Sequence, residues 1–175
     1  MKKFMMCLLA VMFVFASADA LAAKKSKKNK SKVQTTKAVW NTDLQKAMAE
    51  AKKSKKQIFL LVTGSTWCPP CKNLEKSVLS KPEFLSMAAQ SLVLVKADIP
   101  RGAKPAAGAI AAMQFVKHSG GVPSAYLLNA DGTIIDKQVG FGGGDAKSYM
   151  SRFKGYKMPK AAKPAKNSKD KKKKK

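Results

Sequence analysis

The 175-residue chain carries one histidine and three cysteines. Cys7 lies inside the N-terminal apolar run, which leaves one His and two Cys in the rest of the chain, short of the four ligands of a tetrahedral zinc centre, whereas a copper(I) site built on two thiolates stays open. Carboxylates are scarce as well: Asp and Glu number 10 against 35 Lys and Arg, for a net charge of +25. The apolar run from Phe4 to Ala16 falls short of the roughly 20 residues that span a bilayer, which argues against a permanent anchor. Neither lysine run, Lys24 to Lys32 or Lys160 to Lys175, contains an aromatic residue. That removes the stacking platforms of single-strand binders, and no specific nucleic-acid partner is expected. At about 150 residues per domain the length accommodates one, and no internal repeat is visible.

What is present is sorted along the chain. With 45% hydrophobic residues the middle can bury a core, which excludes wholesale disorder. Lys2 and Lys3, the apolar run and the small-residue pairs Ala18/Ala20 and Ala20/Ala22 read as a cleaved signal peptide over residues 1–22, cut after Ala22 or alternatively after Ala20. Cys7 leaves with it. The mature chain then holds two cysteines, Cys68 and Cys71, in a periplasmic or otherwise exported setting where disulfides persist. Residues 23–37 form a disordered basic arm, 38–156 the folded domain and 157–175 a disordered lysine-rich tail. Six positive charges without a negative one lie in 24–32, and nine against one in 158–175. Near an anionic surface each lysine contributes about 1 kcal/mol, screened beyond about 8 Å in physiological salt. Weak, salt-sensitive electrostatic association with anionic envelope surfaces is expected.

Within the domain, Thr42 or Asp43 caps a helix with Leu44, Ala47, Met48 and Ala51 on one face, ending in the lysines 52–56. Ile58 to Val62 is a continuous apolar run, the mark of a strand buried on both faces. A helix starts at Pro69 or Pro70, where the missing N–H does no harm. It runs through Leu74, Val78 and Leu79, and Lys81-Pro82-Glu83 breaks it before a stretch carrying Phe84, Leu85, Met87 and Ala88. Leu92 to Val95 gives the next strand, residues 100–109 a loop, and Ala109 to Lys117 a helix. Pro123 to Leu128 and Thr133 to Val139 make a hairpin about Asn129-Ala130-Asp131-Gly132. A last helix carries Tyr149, Met150 and Phe153. This order gives one α/β domain with a mixed sheet.

The chemistry lies in Trp67-Cys68-Pro69-Pro70-Cys71, between an apolar strand and a helix. Cysteines three apart at a helix start close a small disulfide ring, and the helix N-terminus favours a thiolate on the first. Cys68 is thus expected to be the exposed nucleophile and Cys71 the resolving thiol. Pro69 and Pro70 remove two N–H donors from that turn, limiting the hydrogen bonds that reach the Cys68 sulfur. The blander readings are a structural disulfide, which in so short a ring removes little chain entropy, and the copper clip. His118 is expected at a helix C-terminus, interacting with the dipole.

These residues resemble the thioredoxin superfamily. The Trp-Cys-Pro-Pro-Cys pentad is similar to that of exported thioredoxin-like reductases, and Thr63 to Cys68 followed by Lys81-Pro82-Glu83-Phe84 to a branch of bacterial exported thioredoxin-like proteins. Gly121-Val122-Pro123-Ser124 resembles the family's cis-proline loop, and Tyr126 to Gly132 its following hairpin. The resemblance implies a thioredoxin-like three-layer fold, a central mixed sheet flanked by helices. It implies a cis Val122–Pro123 bond whose Val122 backbone pairs with a partner strand, and Trp67 flanking the reactive sulfur, where it contacts the substrate or else packs under the site. One position departs from the pattern. Thioredoxins proper hold a buried carboxylate six residues before the first cysteine, where this chain has Val62. Glu75, one turn beyond Cys71, is then either a substitute proton acceptor or a plain exposed helix residue.

The leading expectation is an exported thiol:disulfide oxidoreductase, a reductase or general exchanger needing no cofactor. It would act as a monomer on protein thiols and disulfides and be served by an upstream redox partner protein. The competing expectation is a redox-inactive envelope-binding module whose cysteine pair is structural or binds copper while its lysine arms hold polyanions.

Overall fold

The longest buried apolar run lies at the middle of the sheet. In a computed structural model, which describes residues 38–159, Gln57–Thr63 forms strand β2, buried along its whole length. In chain order the elements are β1 (Trp40–Asn41), α1 (Leu44–Ser54), β2, α2 (Pro69–Leu74), α3 (Pro82–Ser91), β3 (Leu92–Asp98), α4 (Ala107–Phe115), β4 (Ser124–Leu128), β5 (Ile134–Val139) and α5 (Ala146–Ser151). A π-helical turn, Glu75–Leu79, extends α2. The sheet order is β1-β3-β2-β4-β5. β1 and β2 run parallel to β3, whereas β4 runs antiparallel to both β2 and β5. The signal peptide, the basic arm and nearly all of the lysine tail lie outside the described residues.

Side chains alternate across β2 with the period of two that a strand imposes. Phe59 and Leu61 face α2, α3 and α5, joining Leu74, Val78, Phe84, Tyr149 and Phe153. Ile58, Leu60 and Val62 face α1 and α4, joining Leu44, Ala47, Ala109 and Ala112. The result is the expected three layers with a mixed sheet between helices. Phe59 anchors one face, its ring edge-on to Phe84 and Phe153, each 5.8 Å away between centroids. Asp43 caps α1, its carboxylate accepting the N–H groups of Gln45 and Lys46 at 2.9 and 3.1 Å.

Topology then gathers the site. Thr63 of β2 is level with Asp98 of β3, and Val62 is level with Ser124 of the antiparallel β4. The loop after β2, the loop after β3 and the loop before β4 therefore meet at one end of the sheet, the arrangement that places binding loops at strand ends in open α/β sheets.

Three features differ from the sequence expectation. The pattern gave no strand at Trp40–Asn41, which pairs with Leu94 and Val95. The helix after Cys71 does not keep α geometry to Leu79 but widens at Glu75, where Ser80 N–H reaches the Glu75 carbonyl at 2.9 Å. α4 begins and ends two residues earlier than expected.

Candidate active site

Cys68 is the N-cap of α2. Its sulfur accepts the backbone N–H of Cys71 at 3.3 Å, the cap position where a side-chain acceptor satisfies an otherwise unpartnered donor. Pro69 and Pro70 fill the first two helical positions, so the Cys71 N–H is the first amide of α2 able to donate. Cys68 and Cys71 are joined as a disulfide, with α-carbons 5.2 Å apart. One expectation is corrected here. In this oxidised state Cys68 is not exposed: 3% of its surface is accessible, as for Cys71. Its sulfur lies 3.6 Å from the Val122 carbonyl oxygen, so the loop before β4 closes over it.

The loop that delivers Cys68 is fastened to β3 twice. The Ser65 N–H and hydroxyl both donate to the Asp98 carboxylate, at 2.8 Å each. The Trp67 indole N–H donates to the Ile99 carbonyl at 2.6 Å, and the Arg101 guanidinium lies 5.9 Å from the ring centre. Gly64 makes this possible, because a β-carbon there would collide with the Trp67 ring. Trp67 is half-buried, packed beneath the loop.

Cys71 borders an open cavity of about 540 Å³, lined also by Thr63, Ser65, Lys72, Glu75, Lys76, Ser80 and Lys96. Glu75 is not a plain exposed helix residue. It is half-buried, one carboxylate oxygen 3.1 Å from Lys96 Nζ and the other accepting the Ser80 hydroxyl at 3.4 Å. The π turn widens the helix so that Ser80, five residues on, shares a face with Glu75. Val62 is fully buried, and its position supplies no carboxylate.

The Val122–Pro123 peptide bond is cis, as the resemblance implied. The loop is held at both ends: the Ser124 hydroxyl donates to the Gly121 carbonyl at 2.7 Å, and Gly140 N–H donates to that of Pro123 at 2.7 Å. His118 stands three residues past the end of α4, its backbone N–H donating to the Met113 carbonyl at 2.8 Å. Its Nδ1 lies 2.8 Å from the buried Tyr126 hydroxyl, and partial burial, followed by the nearby Lys137 charge, lowers its pKa. Among the described residues no three of His, Cys, Asp and Glu converge as metal ligands would.

Cys68, Cys71, Trp67, Pro69, Pro70, Val122 and Pro123 thus stand together, with Glu75 one helical turn beyond Cys71 on the wall of the same cavity. Sequence reasoning missed Gly64, Ser65, Ser80, Lys96 and Asp98. Lys96 and Asp98 carried a signal, being charged residues at the end of an otherwise apolar strand.

The thioredoxin-like family profile matches residues 39–130, more than half of the chain. The chain belongs to the thioredoxin-like family. Among curated relatives it is 28% identical to Disulfide bond reductase DsbH of Chlamydia pneumoniae over 111 residues, covering 62% of this chain and 66% of that protein. It is 32% identical to Thioredoxin-related protein DsbJ of the same organism over 60 residues, 34% of this chain and 17% of that one. The chain therefore spans less than two thirds of either relative's length. Among solved structures, a DsbH oxidoreductase superposes with a TM-score of 0.57 at 23% identity, over 78% of this chain and 91% of that one, which shows a shared thioredoxin-like fold.

Proposed function

We propose that this chain is a thiol:disulfide oxidoreductase that works on protein partners as a reductant. The observation that carries the reading is the N-cap placement of Cys68, its sulfur accepting the Cys71 N–H beside the Val122–Pro123 loop. A sulfur so placed is stabilised as a thiolate, by the amide and by the positive end of the helix continuing through residues 69–79. The reductase direction is supported by the name of the DsbH relative.

In the reduced protein the Cys68 thiolate attacks one sulfur of a partner disulfide. A mixed disulfide forms and the partner's other sulfur leaves as a thiolate. Cys71 then gives up its proton and attacks the Cys68 sulfur, releasing the second partner thiol and closing the Cys68–Cys71 bond. Two electrons pass to the partner, and an upstream redox partner protein restores the dithiol. Val122 and Pro123 orient the partner beside Cys68, Trp67 supports the loop from below, and Pro69 and Pro70 keep the donors to the sulfur few. Glu75, which lines the same cavity as Cys71 and is paired with Lys96, is the candidate acceptor for the Cys71 proton, taking the place of the carboxylate missing at Val62. The step needs no cofactor.

The chain is exported by its signal peptide into the periplasm or an equivalent compartment and acts as a monomer. The two lysine arms hold it loosely to anionic envelope surfaces. The direct test is a Cys71→Ala variant expressed in cells, which cannot resolve the mixed disulfide. Protein partners attached through Cys68 and released by reductant support the reading. A variant that accumulates no adduct, together with unchanged envelope binding by Cys68→Ser, supports the binding-module alternative.

A further inference from the structure

The charges bordering the cavity are not balanced alike. Glu75 is bound to Lys96 and Ser80, and Asp98 is occupied on both oxygens by Ser65. Lys96 is engaged as well, lying 4.8 Å over the Trp40 ring. Lys72 and Lys76 line the same cavity, are exposed, and have no ion-pair partner among the described residues. On the opposite flank Arg101 stands over Trp67, likewise without a carboxylate. Lys72 and Lys76 add two positive charges to a cavity wall whose carboxylate, Glu75, is already engaged by Lys96 and Ser80. Two hydroxyl side chains of the wall, Thr63 and Ser65, add further polar groups beside Cys71.

We propose that the cavity beside Cys71 is a subsite for an acidic side chain of the protein substrate, a Glu or Asp within a few residues of the cysteine that exchanges with Cys68. This rests on the redox reading above and deepens it by naming the substrate class. Cys71 borders the cavity and its α-carbon is 5.2 Å from that of Cys68, so a side chain close to the exchanging cysteine is within reach of the cavity mouth. A carboxylate there meets the Lys72 and Lys76 ammonium groups. A lysine in its place meets repulsion, which discriminates between partners as effectively as the attraction does.

The experiment uses the full reduced chain and three short disulfide peptides that differ only beside the cysteine, carrying Glu, Gln or Lys. The second-order exchange rates are expected in the order Glu, Gln, Lys, with about a tenfold spread between the extremes at low salt that shrinks towards unity at high salt. In Lys72→Gln/Lys76→Gln the Glu-to-Lys rate ratio is expected to fall below about twofold. In Lys52→Gln/Lys53→Gln, which removes the same charge from α1, the ratio persists. Equal rates for the three peptides, or a ratio lost equally in both double variants, overturn the subsite while leaving the redox reading intact. Failure to exchange with any peptide, the Gln one included, overturns both.

Discussion

The Lys96 ammonium of β3 lies 3.1 Å from a carboxylate oxygen of Glu75 in the π turn, and both border the cavity that Cys71 lines. At 25% and 40% side-chain exposure the pair is solvated enough that its contribution to stability stays below about 1 kcal/mol. Its value to the protein is therefore chemical. Glu75→Gln is expected to slow resolution of a Cys68 mixed disulfide by about tenfold, below the roughly hundredfold minimum usual for a general base because water can enter the cavity, while shifting the unfolding midpoint little. Single-turnover release of a fluorescent partner measures the first and urea denaturation the second. An unchanged release rate removes Glu75 from the mechanism.

Gly64 and Trp67 make a second prediction. Because a β-carbon at residue 64 would collide with the indole ring, Gly64→Ala must displace Trp67 from its hydrogen bond to Ile99. A loss of about 1–3 kcal/mol is expected, the usual cost of overpacking, with a red shift of Trp67 emission as the ring gains water. Trp40→Phe in the background isolates the signal. A variant as stable as the parent with unshifted emission contradicts the packing.

Much of the site was legible because its signals are local. The five-residue Cys motif, the apolar β2 run and the Val122–Pro123 dipeptide each read from a few adjacent residues, and the structure brings them together. What escaped depends on distant partners. Trp40–Asn41 is a strand only because Leu94 and Val95 lie beside it. Burial of Cys68 comes from the Val122 loop, which is 54 residues away in the chain. The π turn departs from the 3.6 period on which helix reading relies, and the adjacent buried pair Val78 and Leu79 was its one visible trace. The Ser65–Asp98 tie joins the loop after β2 to the end of β3, whose proximity follows only from the parallel register of the two strands.

His118 gives a prediction about pH. Burial first, and then the Lys137 charge, hold its pKa below the ordinary 6.5, so the unfolded chain takes up this proton before the folded one does. Stability from this residue is complete above the unfolded value and is lost as pH falls below it. Urea midpoints are expected to drop between about pH 7 and pH 5, and less so in His118→Gln, which has no proton to bind. Equal pH dependence in both proteins would show that His118 does not contribute.

The account turns on the sulfur of Cys68, and its acidity is directly measurable. In the fully reduced chain, the rate at which iodoacetamide modifies the Cys68 peptide, followed by mass spectrometry against pH, reports the thiolate fraction. The N-cap position predicts a midpoint at least about one unit below the free-cysteine value of about 8.5. A midpoint at or above that value, or a thiol that reacts only after the protein is unfolded, contradicts it.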